Sequence, residues 1–176
     1  MIIRLHEIPK EGKSYHLDRT TGELNEVLED LIGSQSYETD FQLLPVGQAF
    51  DLKGKVKTSL KETCSFCGEE FELPVAERFH ELILKDEAKK LTGLKDFSPD
   101  SDVSVSVAGD GLTYDVGQFL HEIIALAEPY QPICKEGCKG LCGTCGKNLN
   151  EGDCRCAKEK SDPTSPFSVL KKLKLN

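Results

Sequence analysis

Eight cysteines are the residues of this chain whose type and spacing suit chemistry. Two pairs share the pattern C-x2-C-G, at Cys64–Gly68 and at Cys142–Gly146. A turn of this kind, called a knuckle below, places two thiolates on one side, and its glycine permits a positive backbone φ. Zinc binds four such sulfurs tetrahedrally at about 2.3 Å each. Two four-thiolate zinc sites would therefore use every cysteine, namely Cys64, Cys67, Cys134, Cys138, Cys142, Cys145, Cys154 and Cys156.

The spacing of the cysteines allows two pairings. We prefer the one in which the eight residues between Cys145 and Cys154 return the chain to the same ion. Its two sets are Cys64, Cys67, Cys134 and Cys138, and Cys142, Cys145, Cys154 and Cys156. The alternative has the sets Cys134, Cys138, Cys142 and Cys145, and Cys64, Cys67, Cys154 and Cys156.

Bound metal is favoured over free thiols because the cysteine-rich segment has few apolar side chains. Between Cys134 and Cys156 the apolar residues other than cysteine are Leu141 and Leu149. Ordering the backbone costs roughly 1–2 kcal/mol per residue, whereas a structural zinc contributes about 10–16 kcal/mol in small finger peptides. Neither set leaves an open coordination position, so we expect structural ions. An iron–sulfur cluster and a thiol redox switch stay open as other uses of the cysteines.

No other group of side chains indicates catalysis. None of the histidines, His6, His16, His80 and His121, lies near a cysteine in the sequence. We expect His121 to be packed or to lie on a helix face. The chain has no G-x-S-x-G motif, no P-loop and no G-x-G-x-x-G motif after a strand. We therefore expect no enzymatic activity, and no small-molecule substrate is evident.

Length and composition exclude several classes of protein. The 176 residues suit one domain, or one domain with a small appendage. A net charge of −8 and a pI of about 5.1 exclude a uniformly basic nucleic-acid binder. No run of 18 apolar residues occurs, so we expect no transmembrane helix. The start of the chain does not match a signal peptide, so we expect a cytoplasmic protein with reduced thiols and without disulfides.

The charge is unevenly distributed along the chain. Residues 134–176 hold nine basic and five acidic side chains, a balance of +4, and residues 1–133 hold 13 and 25, a balance of −12. A basic end is typical of a surface that faces nucleic acid. The candidate RNA-contacting side chains are Lys135, Lys139, Lys147, Arg155, Lys171, Lys172 and Lys174. Two four-thiolate zinc sites would bring the whole chain to about −12, which favours a basic protein partner.

Capping signals and apolar spacing predict two helices. Thr20, with an acidic residue three positions later, forms a capping-box pattern, and the helix after it ends at Gly33. Asp115, with Gln118 three positions later, predicts the start of the second helix. The two apolar stripes are Leu24, Val27, Leu28 and Leu31, and Val116, Phe119, Leu120, Ile123, Ile124 and Ala127.

Alternating side chains predict the strands. The strands are predicted within 1–17 and at 37–46, 49–63, 69–84 and 103–107. Within 49–63 one face is apolar and the other carries Lys53, Lys55, Lys57 and Lys61. We interpret this lysine row as a solvated face or as edge protection, with phosphate contact as the alternative. The polar residues 86–101 are predicted to be partly disordered.

These elements predict an α+β fold. We expect an antiparallel β-sheet domain with two or three helices and a cysteine-rich, zinc-stabilised C-terminal segment. The predicted organisation is an α+β body at 1–130 that carries the knuckle at 64–67, a cysteine-rich segment at 131–160 packed on that body, and a basic amphipathic tail at 161–176.

A series of motifs occurs in order along the second half of the chain. They are Cys64-Ser-Phe-Cys67-Gly68, Phe71, Pro132-Ile-Cys134, Cys138-Lys-Gly-Leu-Cys142-Gly-Thr-Cys145-Gly146-Lys-Asn-Leu-Asn150, Cys154-Arg-Cys156 and the tail from Asp162-Pro163 to Leu173. In this order and spacing they resemble the YceD family, the large ribosomal RNA subunit accumulation proteins. The N-terminal helix and strands agree with that family only in pattern.

The resemblance implies a bacterial or organellar factor of the cytosol that is needed for accumulation of 23S-type ribosomal RNA. We therefore predict a non-catalytic zinc-binding factor of ribosome biogenesis that binds ribosomal RNA or a large-subunit ribosomal protein. Two alternatives are kept. One is an acidic interaction module or chaperone for a basic ribosomal protein, and the other is a thiol redox sensor.

Overall fold

The structure is a computed structural model that describes residues 1–85, 103–108 and 111–156. The chain divides into two units. Unit 1 consists of Met1–Glu62 and Glu72–Tyr130, and unit 2 consists of Thr63–Phe71 and Gln131–Asn176. The polar residues 86–101, predicted to be partly disordered, and the predicted tail at 161–176 lie outside the described residues.

The described strands and helices form an α+β fold, which confirms the predicted class. In chain order they are β1 (Ile2–Arg4), a 3-10 helix (Leu5–Glu7), β2 (Lys13–Asp18), α1 (Asn25–Ile32), β3 (Glu38–Val46), β4 (Ala49–Thr63), β5 (Glu70–Leu84), β6 (Ser104–Val107), β7 (Thr113–Asp115) and α2 (Val116–Leu126). Within the described ranges, no helix combines the length and the hydropathy that crossing a membrane would require.

Five strands form one sheet in the order β2-β3-β4-β5-β6, while β1 and β7 form a separate antiparallel pair. β3 pairs antiparallel with both β2 and β4. Only six residues connect β4 to its neighbour β5, too few for the crossover that parallel neighbours need, so these two strands form a hairpin. β6 runs parallel to β5. The sheet is thus mainly antiparallel, and its one described parallel pair follows a connection of 19 residues, 85–103.

The strand faces alternate as the sequence predicts. In β4 the side chains of Leu52, Val56 and Leu60 are buried, and the four lysines of the opposite face are exposed. Two of these lysines form ion pairs, Lys53 with Asp51 at 2.7 Å and Lys55 with Asp40 at 3.2 Å. Because β4 is the central strand, the edge-protection interpretation of the lysine row is wrong, and the row lies on a solvated sheet face.

Helix α2 begins and packs as predicted. The Asp115 carboxylate accepts a hydrogen bond from the Gln118 N–H at 3.1 Å, which caps the helix. Its stripe packs into the core, where Leu120 is fully buried. The Phe119 ring meets the Phe79 ring of β5 edge-on at a centroid distance of 5.4 Å. The helix therefore covers the apolar face of the sheet.

Helix α1 has the predicted apolar stripe and the predicted end, but the capping box is wrong. The helix begins at Asn25, and its N-cap residue Leu24 makes no side-chain hydrogen bond. The Asp18 carboxylate instead accepts hydrogen bonds from the N–H groups of Thr20 and Thr21, at 2.8 and 2.9 Å. Asp18 ends β2 and competes for these donors, so the Thr-Thr-Gly-Glu segment forms a turn.

Gly54 of β4 lies where aromatic rings cross the sheet. It is opposite Phe41 in the β3–β4 register, and the Tyr15 ring stacks on Phe41 at 4.8 Å. A Cβ atom at position 54 would lie 2.5 Å from the Phe41 Cβ and 2.6 Å from the Phe79 Cζ. The same Cβ would lie 2.6 Å from the Asp40 carbonyl oxygen, so only a residue without Cβ fits between this backbone and the aromatic side chains.

We expect Gly54→Ala to lower the free energy of unfolding by about 1–3 kcal/mol, because the added methyl overpacks the aromatic row. Urea unfolding followed by circular dichroism measures this change. The direction of the change in the free energy of unfolding is informative. Replacing a strand glycine that has free space above it stabilises a sheet instead. The loss should shrink when the same substitution is made in a Phe79→Leu background, and an unchanged or increased stability of Gly54→Ala would contradict this account.

Candidate metal centres

The described part of unit 2 brings the eight cysteines into two groups of four. Within each group the sulfur atoms all lie within 4.8 Å of one another, and all eight are free of disulfides. The first cysteine group is Cys64, Cys67, Cys134 and Cys138, and the second cysteine group is Cys142, Cys145, Cys154 and Cys156. The structure thus assembles the sets of the preferred pairing and not those of the alternative.

The spacing of the sulfurs fits a four-thiolate metal site. Four sulfurs at 2.3 Å from a central zinc define a tetrahedron whose edges are about 3.8 Å, whereas a disulfide needs about 2.05 Å. The sulfur–sulfur distances are 3.8 Å for Cys64–Cys138, 3.7 Å for Cys67–Cys134 and 3.3 Å for Cys142–Cys154. Each group could hold a metal ion, and the donor set is compatible with zinc.

The two knuckles have the same backbone hydrogen bonds. In each, the first cysteine N–H donates to the carbonyl five residues later, and the glycine N–H donates back to that cysteine's carbonyl. The distances are 2.9 Å for Cys64 N–Glu69 O, 2.9 Å for Gly68 N–Cys64 O, 2.8 Å for Cys142 N–Lys147 O and 2.9 Å for Gly146 N–Cys142 O. Gly68 and Gly146 have φ values of 73° and 71°, which confirms the role predicted for the knuckle glycines.

Backbone N–H groups favour one thiolate in each knuckle. Burial opposes ionisation of Cys64, but the N–H groups of Cys134 and Cys67 outweigh it and lower the pKa of Cys64 to about 6. The N–H groups of Cys145 and Thr144 lower the pKa of Cys142 to about 6. Each knuckle therefore presents one thiolate that is ready to bind a cation.

The remaining thiols need a cation in order to ionise together. Although the backbone of Glu69 acts to lower the pKa of Cys67, burial and the neighbouring thiols raise it to about 12. The Cys145 thiol, together with burial, raises the pKa of Cys156 to about 11. A divalent ion at the centre of each group would reverse this effect, because it stabilises all four thiolates at once.

Hydrogen bonds connect the two knuckles within unit 2. The Leu141 N–H donates to the Phe66 carbonyl at 3.0 Å, and the Asn148 amide donates to the Glu69 carboxylate at 2.8 Å. An antiparallel bridge between Leu141 and Asn148 flanks the second knuckle. The turn of each knuckle is therefore held by residues next to the other.

Asn150 is a site residue that the sequence did not predict. Its side-chain N–H donates to the Cys138 sulfur at 3.3 Å, and its side-chain oxygen accepts from the Lys139 N–H at 2.9 Å. Donation to sulfur lowers the pKa of Cys138. No spacing rule identifies such a residue, because the contact depends on how the chain returns 12 residues later.

The structure places four of the seven predicted RNA-contacting side chains. Lys135, Lys139, Lys147 and Arg155 are exposed on unit 2, and the Lys147 ammonium lies 3.4 Å from the Asp153 carbonyl oxygen. The predicted contacts Lys171, Lys172 and Lys174 lie outside the described residues. RNA contact through these side chains stays a prediction.

A third group of ligand-type side chains lies on the solvated face of the sheet in unit 1. It consists of His16, Glu38 and Asp40. The His16 Nδ1 is 2.6 Å from one Asp40 oxygen, and the Lys55 ammonium is 3.2 Å from the other. Because Asp40 already has these two partners, the group is explained as an ion-pair network.

Comparison with known proteins adds two matches. The family model described as "Large ribosomal RNA subunit accumulation protein YceD" matches residues 52–174, a range that contains both cysteine groups. The Arabidopsis thaliana protein "Large ribosomal RNA subunit accumulation protein YCED homolog 1, chloroplastic" is 35% identical over 48 residues. That alignment covers 27% of this chain and 15% of the relative's length. No solved structure matches the chain.

We expect the His16 imidazole to titrate above 6.5, because its hydrogen bond to Asp40 raises its pKa. The contribution of this raised pKa to stability is present below pH 6.5 and is lost as pH rises through the folded-state value. The pKa of Asp40 is lowered, chiefly by His16, so its contribution is present above 3.8 and is lost on acidification.

NMR titration of the His16 ring protons measures this pKa directly. Asp40→Asn should move the His16 pKa down toward 6.5. Asp51→Asn is the control, since Asp51 contacts His80 instead, at 2.6 Å. An equal titration of His16 in the wild type and in Asp40→Asn would show that this ion pair does not persist in solution.

Proposed function

The chain belongs to the YceD family of large ribosomal RNA subunit accumulation proteins, and we propose that it is a non-catalytic, zinc-binding factor of ribosome biogenesis. In this proposal it acts in the bacterial cytoplasm and supports accumulation of 23S-type ribosomal RNA by binding a large-subunit component. The observation that carries the proposal is the family match over residues 52–174, which spans both cysteine groups.

Charge favours a basic ribosomal protein as the bound component. Residues 1–133 have a balance of −12, and two four-thiolate zinc ions would bring the whole chain from −8 to about −12. Ribosomal RNA is itself a polyanion, so such a chain is repelled by it over most of its surface. A basic protein that must be held before it joins the RNA is the partner of complementary charge.

RNA is the second candidate partner, because unit 2 exposes basic side chains. Lys135, Lys139, Lys147 and Arg155 are all exposed there. Contacts of these residues with phosphate would release counterions and would make binding steeply dependent on salt.

We propose zinc as the metal in both cysteine groups. Four thiolates in a tetrahedral arrangement are typical of structural zinc. The sulfur–sulfur distances of 3.8 and 3.7 Å in the first cysteine group match the tetrahedral edge of about 3.8 Å that its bond length gives. The spacings along the sequence do not repeat a ferredoxin pattern. A thiol redox sensor, the remaining alternative, requires thiols that are free of metal in the native protein.

The purified chain should contain about two zinc ions, one for each group. Cys67→Ser and Cys145→Ser should each reduce the content to about one, because they remove one ligand from different groups. Elemental analysis measures the metal, and thiol titration before and after chelation counts the released cysteines. Ser65→Ala, which changes a knuckle residue that is not a ligand, should retain both ions.

Two results would contradict the zinc proposal. Iron together with inorganic sulfide in the purified chain would indicate a cluster. Eight reactive thiols in the native, untreated chain would favour the redox sensor.

The partner can be identified by nuclease treatment of complexes isolated from cells. If the partner is a basic ribosomal protein, large-subunit proteins should remain bound after RNase treatment and should be released by salt, since the contact is electrostatic. The matched variants are two triple substitutions of exposed lysines. One is Lys135→Gln, Lys139→Gln and Lys147→Gln in unit 2, and the other is Lys10→Gln, Lys13→Gln and Lys85→Gln in unit 1, outside the lysine row of β4. Neither triple variant should weaken this association.

The RNA candidate predicts the opposite outcome. The association would then be lost with RNase. The unit 2 variant would lower the affinity for a 23S fragment and reduce the slope of the log affinity against log salt by about 2, while the unit 1 variant would not. These results would indicate that the bound component is RNA and not a basic protein.

A further inference from the structure

A cleft of about 520 Å³ opens in unit 1 beside α2 and the strands β6 and β7. Hydroxyl groups, two aromatic rings and three carboxylates line it together. Its lining includes Glu81, Ser104, Tyr114, Phe119, Glu122 and Leu126. The cysteine groups lie in the other unit, so this cleft is separate from the candidate metal centres.

Glu81 breaks the apolar pattern of β5. Its alternate neighbours Phe79 and Ile83 belong to the hydrophobic core, yet Glu81 shares their face and is only 3% exposed. Ser104 donates a hydrogen bond to its carboxylate. Burying a carboxylate is costly unless a cation compensates it. No lysine, arginine or histidine occurs among the described residues that line the cleft.

The other polar groups of the cleft do not supply a positive charge. Asp115 is already engaged, since it caps α2 and lies 3.5 Å from the N-terminal ammonium. Burial, with nearby carboxylates, raises the pKa of Tyr114 to about 12, so its hydroxyl stays neutral. Glu122 adds a second acidic side chain, which is exposed. Among the described residues that line the cleft, none therefore supplies a cation to balance these carboxylates.

We propose that this cleft binds an arginine side chain of a basic partner protein. The planar guanidinium matches a carboxylate through paired hydrogen bonds and stacks on aromatic rings. The Glu81 carboxylate and the Tyr114 and Phe119 rings all line the cleft, and the two rings pack on each other with centroids 6.0 Å apart. Leu126, which is 84% exposed, provides apolar surface for the aliphatic part of the arginine.

Arginine is favoured over lysine by the aromatic walls. A lysine ammonium is a strongly hydrated point charge and would lose more hydration on entering a partly apolar cleft. The inference rests on the proposed function, in which a basic ribosomal protein is the partner and supplies the arginine.

Short peptides test the cleft directly. The probes are acetyl-Gly-Arg-Gly-amide and the same peptide with citrulline, which has nearly the same shape as arginine but no charge. NMR titration of the full, metal-loaded chain should show saturable shifts of the Ser104, Gln118 and Phe119 amides with the arginine peptide. The citrulline peptide should bind at least about tenfold more weakly.

Three variants locate the interaction. Glu81→Gln, which preserves shape and removes the charge, should weaken binding of the arginine peptide at least about tenfold. Glu122→Gln should weaken it about two- to fivefold, as expected for an exposed carboxylate. Glu77→Gln is the matched control, because Glu77 is exposed on the same strand and does not line the cleft.

The proposal is overturned if the citrulline peptide binds as tightly as the arginine peptide, or if Glu77→Gln has the same effect as Glu122→Gln. If Glu81→Gln does not fold, the citrulline probe and Glu122→Gln still test whether the cleft binds arginine. Absence of any saturable shift overturns the arginine site alone when the RNase-resistant association persists. Loss of that association to RNase, with peptide binding intact, overturns the basic ribosomal protein as the partner and leaves the arginine site in place.

Discussion

The crowding of four sulfur atoms around a common centre is the constraint on which unit 2 depends. Among the described residues of this unit, the buried ones are Cys64, Cys67, Pro132 and Gly140, so the sulfurs take the place of most of an apolar core. Mutual repulsion prevents the four thiols from ionising together unless a cation lies between them. The duplicated knuckle turns position the sulfurs through backbone hydrogen bonds. In the proposed zinc-bound form, we expect the order of unit 2 to depend on the occupancy of its two centres.

Unit 1 is stabilised in a different way, by burial of one sheet face beneath α2 and α1. Its core is continuous from the β2–β5 strands to both helices, as expected when alternating apolar residues face amphipathic helices. Two positions depart from that pattern for different reasons. Gly54 makes room for aromatic rings that cross the sheet, and Glu81 introduces a carboxylate at the cleft. The first departure serves packing, and the second is the one we connect to binding.

Charge links the metal centres to the choice of partner. Every four-thiolate zinc site adds two negative formal charges, so occupying both sites makes an acidic chain more acidic. The exposed basic side chains of unit 2 are then a local positive charge on a chain whose net charge is negative. The electrostatic field of all the charges attracts a basic partner, whereas RNA would have to be recognised by those few basic side chains alone.

The sequence by itself determined the α+β class, the strand alternation, the cap of α2 and the role of the knuckle glycines, because these depend on neighbours a few residues apart. It left two pairings of the cysteines open, since spacing limits which sulfurs can meet but does not select among them. Only the tertiary structure decided that Cys64 and Cys67 join Cys134 and Cys138, that β4 is a central strand, and that Asn150 contacts a cysteine sulfur. These three features depend on segments that meet only when the chain folds. The failed capping box at Thr20 has the same origin, because Asp18 at the end of a strand took the donors that the local pattern had assigned to a helix.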